Sequence, residues 1–418
     1  MMTVMSAWKS PSFRRVWGAG VFSNLGAEIG ELAIPVLAIV TLGASAAELS
    51  FVRAALLLPY LVLTLWLGVL VDRYPRRPFM IFADLGRAVL LGLVCWMSIA
   101  GWLTVPMLVI AAGLLGALTV LYSLADFSFL PLVVHEDQLI DANARVTAAQ
   151  SAIGVAGSGA GGALVQVITA PFALLANGVG YLLSGLLITR VRVDDPPAPR
   201  ERRTSAIREA RAGLDLLVRH RTLRALVSEA SLWNLGNEVF MLALSILVLQ
   251  TYGFGPFVLG VILMSGGVGA FLGSAFSGRL TARFGYGHSL VAALVLGNSA
   301  PLVGALFARS DSVSSAVSLT AAFFVSGIGI GIANSQAVSL RQLAAGPDLR
   351  ARVNAGYRLV SWGALSAGAI VGGVLATAFG PWWAAVAGAA VMATASIPVA
   401  VSPVRRMVAI DEVRQHTG

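Results

Sequence analysis

Apolar residues run in long stretches along the whole chain, broken by short polar segments. Twelve such stretches are long enough to cross a bilayer, for which about 20 residues suffice. They cover 16–42, 50–71, 79–101, 104–126, 146–168, 171–190, 223–250, 257–278, 289–308, 315–337, 356–379 and 381–402. The pattern predicts an all-α membrane protein of twelve transmembrane helices, numbered here as spans 1 to 12. Composition agrees: 57% of the 418 residues are hydrophobic and 12% are charged, against about one quarter charged in a soluble domain. The ASAAE stretch at 44–48 resembles a signal-peptide cleavage site. The apolar segment before it is far longer than a signal h-region and carries Glu28 and Glu31, so a retained first span is expected.

Basic residues crowd the N-terminus and every second loop. Arg73, Arg76 and Arg77 follow span 2, ten arginines lie from Arg190 to Arg224, Arg279 and Arg283 follow span 8, and Arg341, Arg350 and Arg352 follow span 10. The opposite loops hold only Arg309 and the recessed Arg53. By the positive-inside rule both termini are cytoplasmic. The formal charge of +9 therefore points to anionic lipid at the cytoplasmic face, not to nucleic acid. Arginine outnumbers lysine 28 to one, as a GC-rich bacterial genome would encode, so the expected location is a bacterial inner membrane. Cys95 is alone, and His135, His220, His288 and His416 are scattered; no disulfide framework, metal site or other cofactor is expected. Lys9, the one lysine, is in no phosphate-binding loop, so ATP is not the energy source. With no convergent nucleophile, base or metal ligands, an enzyme is not expected.

The chain repeats itself. NLGAE at 24–28 returns as NLGNE at 234–238. At the same offset of about 210, Gly68 and Arg73 meet Gly278 and Arg283; at 211, Asn143 and Ala144 meet Asn354 and Ala355, and Gly157, Gly161 and Gly162 meet Gly368, Gly372 and Gly373. Landmarks in one order predict two parallel six-span halves, 1–189 and 223–418. The polar segment 190–222 joins them as a cytoplasmic linker. Its prolines extend its first part, and its second part places Ile207, Leu214, Leu217 and Val218 on one face of an interfacial helix.

A carboxylate within a span costs about 2.5–3.5 kcal/mol to insert and usually has a task. Asn24, Glu28 and Glu31 share one face of span 1, and Asn234 and Glu238 repeat that face in span 7. Glu28, Glu31, Glu238 and Asp126 are candidate proton carriers, with Asn24 and Asn234 as polar neighbours; the glutamates are expected to line a central cavity, one from each half. Asp84 and Arg87, three residues apart in span 3, read as a local ion pair. In the loop after span 2, Gly68 is expected to allow close helix packing, Asp72 to accept hydrogen bonds, and Arg73, Arg76 and Arg77 to stay in the cytosol, together forming a gating latch.

GxxxDRxxRR after span 2, six plus six spans and the internal repeat resemble the major facilitator superfamily. FRRVWGAGVFSNLG, ADLGRA at 83–88, DANARV at 141–146 and SPVRR at 402–406 resemble its enterobactin exporters and macrolide efflux proteins. The resemblance covers almost the entire chain. It implies two pseudo-symmetric six-helix bundles rocking about a midplane site, working as a monomer and exporting amphipathic molecules by proton antiport. Departures bear on this. Pro75 stands where a glycine is common in the loop motif. Ser158 replaces the proline of the antiporter motif, in GSGAGG at 157–162, which keeps Gly157, Gly161 and Gly162 for helix packing. Span 4 lacks the arginine that many proton-coupled relatives carry, so one of the acids above must substitute for it. The readings to separate are proton-driven export of an amphipathic drug, macrolide or siderophore-like molecule, import or facilitated passage of a small metabolite on the same fold, and a non-transporting sensor or assembly protein.

Overall fold

The computed structural model describes residues 6–135, 138–195, 214–344 and 346–408, except for the side chains of Leu65, Asp72, Ile140, 346–352 and Ala355. All regular structure among them is helical. The helices are α1 (Pro11–Val36), α2 (Ala46–Val62), α3 (Thr64–Arg73), α4 (Arg76–Ile99), α5 (Val105–Val133), α6 (Leu139–Thr189), α7 (Arg221–Ile246), α8 (Gly255–Phe284), α9 (Tyr286–Phe307), α10 (Val313–Ala344), α11 (Gly346–Phe379), α12 (Pro381–Ala395) and α13 (Ile397–Ala400). Among the described residues, ten stretches are long and apolar enough to span a membrane. Two local events reconcile ten with the predicted twelve. Span 2 is divided into α2 and α3 at Leu63, one turn after Pro59, with the Leu63 N–H still donating to Pro59 O and the Leu67 N–H to Leu63 O, each at 2.8 Å. Spans 5 and 6 are two helices that meet at the non-helical residue Thr169 and are counted together as α6.

Compact packing divides the chain into two units, Met1–Gly43 with Leu58–Ala206, and Ala44–Leu57 with Ile207–Gly418. In the first, α6 packs on α1 and α4, and α5 packs on α4 and α3. In the second, α7 packs on α11 and α12, α9 on α12, and α10 on α8 and α9. Apart from the grouping of residues 44–57 with the second unit, this is one arrangement written twice. The repeat extends to backbone detail: α1 and α7 are both 26 residues long and both continue into a π-helical turn, Leu37–Thr41 and Leu247–Thr251. ASAAE is the start of α2. The Ser45 N–H and hydroxyl both donate to Glu48 Oε2 at 2.8 Å, and the Glu48 N–H donates to Ser45 Oγ at 3.3 Å, a reciprocal helix cap that holds the Glu48 carboxyl below its ordinary value.

Residues 196–213, with Ile207, lie outside the described residues. The chain is helical again at 214–219. Leu217 is fully buried beside Leu223, Leu290 and Leu340, with Leu214 packed against that core. Val218, predicted on the same apolar face, is 62% exposed. The second part of the linker is thus seated in the C-terminal unit, because its leucines find protein there before lipid.

At one backbone position the halves match in conformation but not in residue type. Gly380, between α11 and α12, has φ 87° and ψ 158°. Its counterpart at the 211-residue offset is Thr169, with φ 69° and ψ 163°, a region nearly reserved for glycine. Thr169→Gly is expected to raise stability by about 1 kcal/mol or more, while Gly380→Thr lowers it; thermal unfolding of the purified protein in detergent reads both.

At the start of α7, His220 Nδ1 accepts from the Leu223 N–H at 3.4 Å, and burial holds the imidazole below its ordinary value. This cap requires the unprotonated ring. An unfolded imidazole, with a value of about 6.5, binds the proton more readily, so the cap contributes fully above that pH and is lost as pH falls through the lower folded value. His220→Asn retains an acceptor without a titration. Between pH 7.5 and 5.5, the wild type should lose more thermal stability than this variant.

Candidate functional site

Helices in hydrocarbon gain little from burying apolar side chains against each other, so close approach depends on small residues. In the N-terminal unit α6 presents Gly157 and Gly161 to α1. A Cβ on Gly157 would lie 2.8 Å from Glu28 Cβ, and one on Gly161 would lie 3.3 Å from Ile29 Cα. The second half repeats the seat. A Cβ on Gly368 of α11 would lie 2.9 Å from Glu238 Cβ, and one on Gly372 would lie 3.1 Å from Val239 Cα. Two sequence landmarks, the NLG(A/N)E stretch and the small-residue motif, are thus the two sides of one helix crossing in each unit.

The carboxylates above these seats have different partners. Glu28 is half-buried and accepts from Ser158 Oγ at 3.2 Å; the serine that replaces the motif proline thereby supplies a hydroxyl. Glu31, one turn on, is exposed. Glu238 is 2% exposed and meets Arg53 in a two-point ion pair, Nε to Oε1 at 2.7 Å and Nη2 to Oε2 at 3.0 Å. Arg53 is itself 7% exposed. The equivalence predicted for the two glutamates therefore holds for the backbone and fails at the side-chain tips. The asparagines diverge likewise: Asn24 donates to its own helix at Gly20 O, 2.7 Å, whereas Asn234 donates to Ser361 O of α11 at 2.7 Å.

Asp84 and Arg87 form the expected pair, at 2.5 Å, in a setting that spacing alone did not reveal. Both are buried, at 0% and 2% exposure. The guanidinium lies over Tyr122 of α5 and Tyr181 of α6, at 4.5 and 4.0 Å from the ring centroids, where the ring faces attract a cation. Ser23 of α1 accepts from Arg87 Nη2 at 3.5 Å. Among the described residues, Asp84 Oδ2, Arg87 Nε, the Tyr122 hydroxyl and the Ser184 hydroxyl complete no hydrogen bond. Asp126 lies one turn beyond Tyr122 on α5. The four-helix cluster itself holds one carboxylate and one guanidinium.

Glu229 was missed. It lies in α7 and accepts from Asn298 Nδ2 at 3.2 Å. The insertion cost that singles out Glu238 applies equally nine residues earlier, and Ala19 stands at the 210-residue offset, so the repeat carries no signal for Glu229.

The loop after α3 works within its own unit. Arg76 pairs with Asp195 at 3.3 Å, the Arg77 N–H donates to Asp195 at 2.8 Å, and the Arg77 side chain donates to the Ile188 and Thr189 carbonyls at the end of α6. Arg73 and Arg283 are exposed, and the Asp72 side chain lies outside the described residues. The expectation for Gly68 is corrected: a Cβ there, or at Gly278, would meet nothing within 4 Å. Both point into open space, and the close crossings lie elsewhere, at Gly157, Gly368 and the glycines between α8 and α10.

Separating a buried ion from its partner costs about 3–5 kcal/mol, whereas replacing both with apolar residues is often neutral. Glu238→Gln is expected to destabilise by about that amount and Arg53→Met/Glu238→Leu to recover most of it. Glu28→Gln, which removes one hydroxyl-to-carboxylate bond, should cost about 1–2 kcal/mol. Denaturant unfolding in detergent ranks the three.

Comparison with known proteins follows the geometry. Residues 2–417 match the family described as transmembrane secretion effector. An uncharacterized MFS-type transporter of Sinorhizobium fredii, y4rN, is 25% identical over 287 residues, covering 67% of this chain and 68% of the relative. Among solved structures, the nucleoside transporter NupG superposes with a TM-score of 0.70 at 12% identity, covering 93% of this chain and 98% of that one. A bacterial homologue of the iron transporter ferroportin, in an inward-facing state, also gives 0.70, at 16% identity, covering 93% and 97%. At such identities these two share the fold alone. The chain is a multi-pass membrane transporter of the major facilitator type and belongs to the transmembrane secretion effector family.

Proposed function

We propose that the protein is a proton-driven exporter of amphipathic small molecules, with drugs, macrolides or siderophore-like compounds as the substrate class, and that Glu28 is the principal proton carrier. The observation that supports this is the difference between the two seated glutamates. Glu28 is half-buried and bonded to a hydroxyl. Such a group can take up and release a proton as its exposure changes without leaving a buried cation behind. Glu238 is tied to Arg53 at two points, and protonating it would break a buried pair. Glu31 stands one turn from Glu28 on the same helix. In the same unit, Asp126 and the Asp84–Arg87 pair form a second charge centre that movement of α5 against α4 and α6 would perturb.

The energy suffices. One proton crossing 100 mV supplies about 2.3 kcal/mol, enough for a substrate gradient of roughly fiftyfold, with no cofactor. Export is favoured by the family's description as secretion effectors. Alternating access in a bacterial inner membrane, both termini cytoplasmic and the protein acting as a monomer, completes the reading. Import or facilitated passage of a metabolite is the competing one, and the serine at the motif-proline position favours it.

Efflux of lipophilic dyes and macrolides from cells tests the proposal. Wild type should show efflux that an uncoupler stops, Glu28→Gln should lose that component while still reaching the membrane, and Glu31→Gln should weaken it less. Uncoupler-sensitive efflux that survives in Glu28→Gln removes Glu28 from the coupling step; substrate accumulation that rises with expression reverses the direction.

A further inference from the structure

A cavity of about 760 Å3 lies in the C-terminal unit, where α7 begins and the chain leaves α13. Arg221 and Arg224 line it from α7, and Arg405 and Arg406 from the turn Pro403–Arg406. Val401 and Pro403 contribute to an apolar wall. No carboxylate lines it, and among the described residues none of the four arginines is in an ion pair.

Both walls are anchored. Thr222 and Leu223, between the first two arginines, are buried at 1% and 0% exposure. Val404 and Met407, flanking the second pair, are buried at 0% and 1%, and the Gly287 N–H donates to Met407 O at 2.8 Å. Arg224 Nη1 is further held by Val218 O at 3.3 Å. Four like charges are therefore brought to one concavity by packed backbone, not by a loose tail. All four are exposed, and an anion seated among them would offset their repulsion beyond what water and salt do; guanidinium groups match the oxygens of a phosphate in geometry as well as charge. The apolar wall continues into Val401, which is 78% exposed, so the ligand that suits the whole site is anionic at one end and apolar at the other.

We propose that this cavity binds the phosphate of an anionic phospholipid headgroup, with the acyl-bearing end against the Val401 and Pro403 side. Such a lipid would fasten the linker end of α7 to the C-terminal turn. The inference stands apart from the direction and energy source of transport.

Short-chain phosphatidylglycerol, phosphatidylcholine and inorganic phosphate, each added to the full-length protein in detergent, test it through thermal unfolding and native mass spectrometry. Phosphatidylglycerol is expected to bind at one site and raise the unfolding temperature, with little effect from the other two. Arg221→Gln/Arg405→Gln should weaken it by about tenfold per arginine, while Arg14→Gln/Arg192→Gln, of equal charge and elsewhere on the protein, leaves it unchanged. Equal weakening by the two double variants would overturn the site, leaving only general charge attraction. Stabilisation by inorganic phosphate equal to that by phosphatidylglycerol would overturn the lipid as its occupant. The single variant Arg406→Gln serves if the double variant does not fold, with the same tenfold loss expected and unchanged binding counting against the proposal.

Discussion

In a bilayer two helices cross closely only where one of them has almost no side chain to interpose. Gly157 and Gly161 meet that requirement beneath α1, and Gly368 and Gly372 meet it beneath α7. Because the Glu28 and Glu238 Cβ atoms lie directly over glycines, the crossing fixes where each carboxylate begins. What each then reaches is decided by the residue beside the seat. The N-terminal unit provides Ser158 there, and the C-terminal unit has Ala369 at the same offset, leaving Glu238 to Arg53.

That difference breaks the symmetry of an otherwise duplicated machine. Arg53 has Leu263 at its 210-residue offset, so no second ion pair of this kind is encoded. One half keeps a carboxylate with a single hydroxyl partner, and the other binds its carboxylate to a guanidinium that has been taken out of water. A buried pair of this sort adds little net stability over apolar packing, but removing one member is costly. The difference between the repeats follows from two substitutions, not from a different fold.

The Asp84–Arg87 centre shows the same economy. A guanidinium in a hydrophobic bundle needs its charge spread over several partners. Here a carboxylate, a serine and two tyrosine rings from four helices share it. Such a site ties α1, α4, α5 and α6 together, so any motion that loosens one contact is felt by the rest.

The sequence by itself determined the number of spans, the duplication at offsets of 210 and 211, and the positions worth watching, because hydrophobic length, repeated motifs and the insertion cost of charge are all local or periodic properties. Tertiary structure alone decided which carboxylate would be paired, since the Arg53–Glu238 contact joins residues 185 apart and no spacing rule reaches that far. Tyr122 and Tyr181 were invisible for the same reason: stacking on Arg87 depends on three helices meeting, and a buried tyrosine in sequence looks like any other core residue. The place of Gly68 and of the linker leucines was also a tertiary decision, because a glycine or a leucine records only what it can pack against, and the neighbour is chosen by the fold.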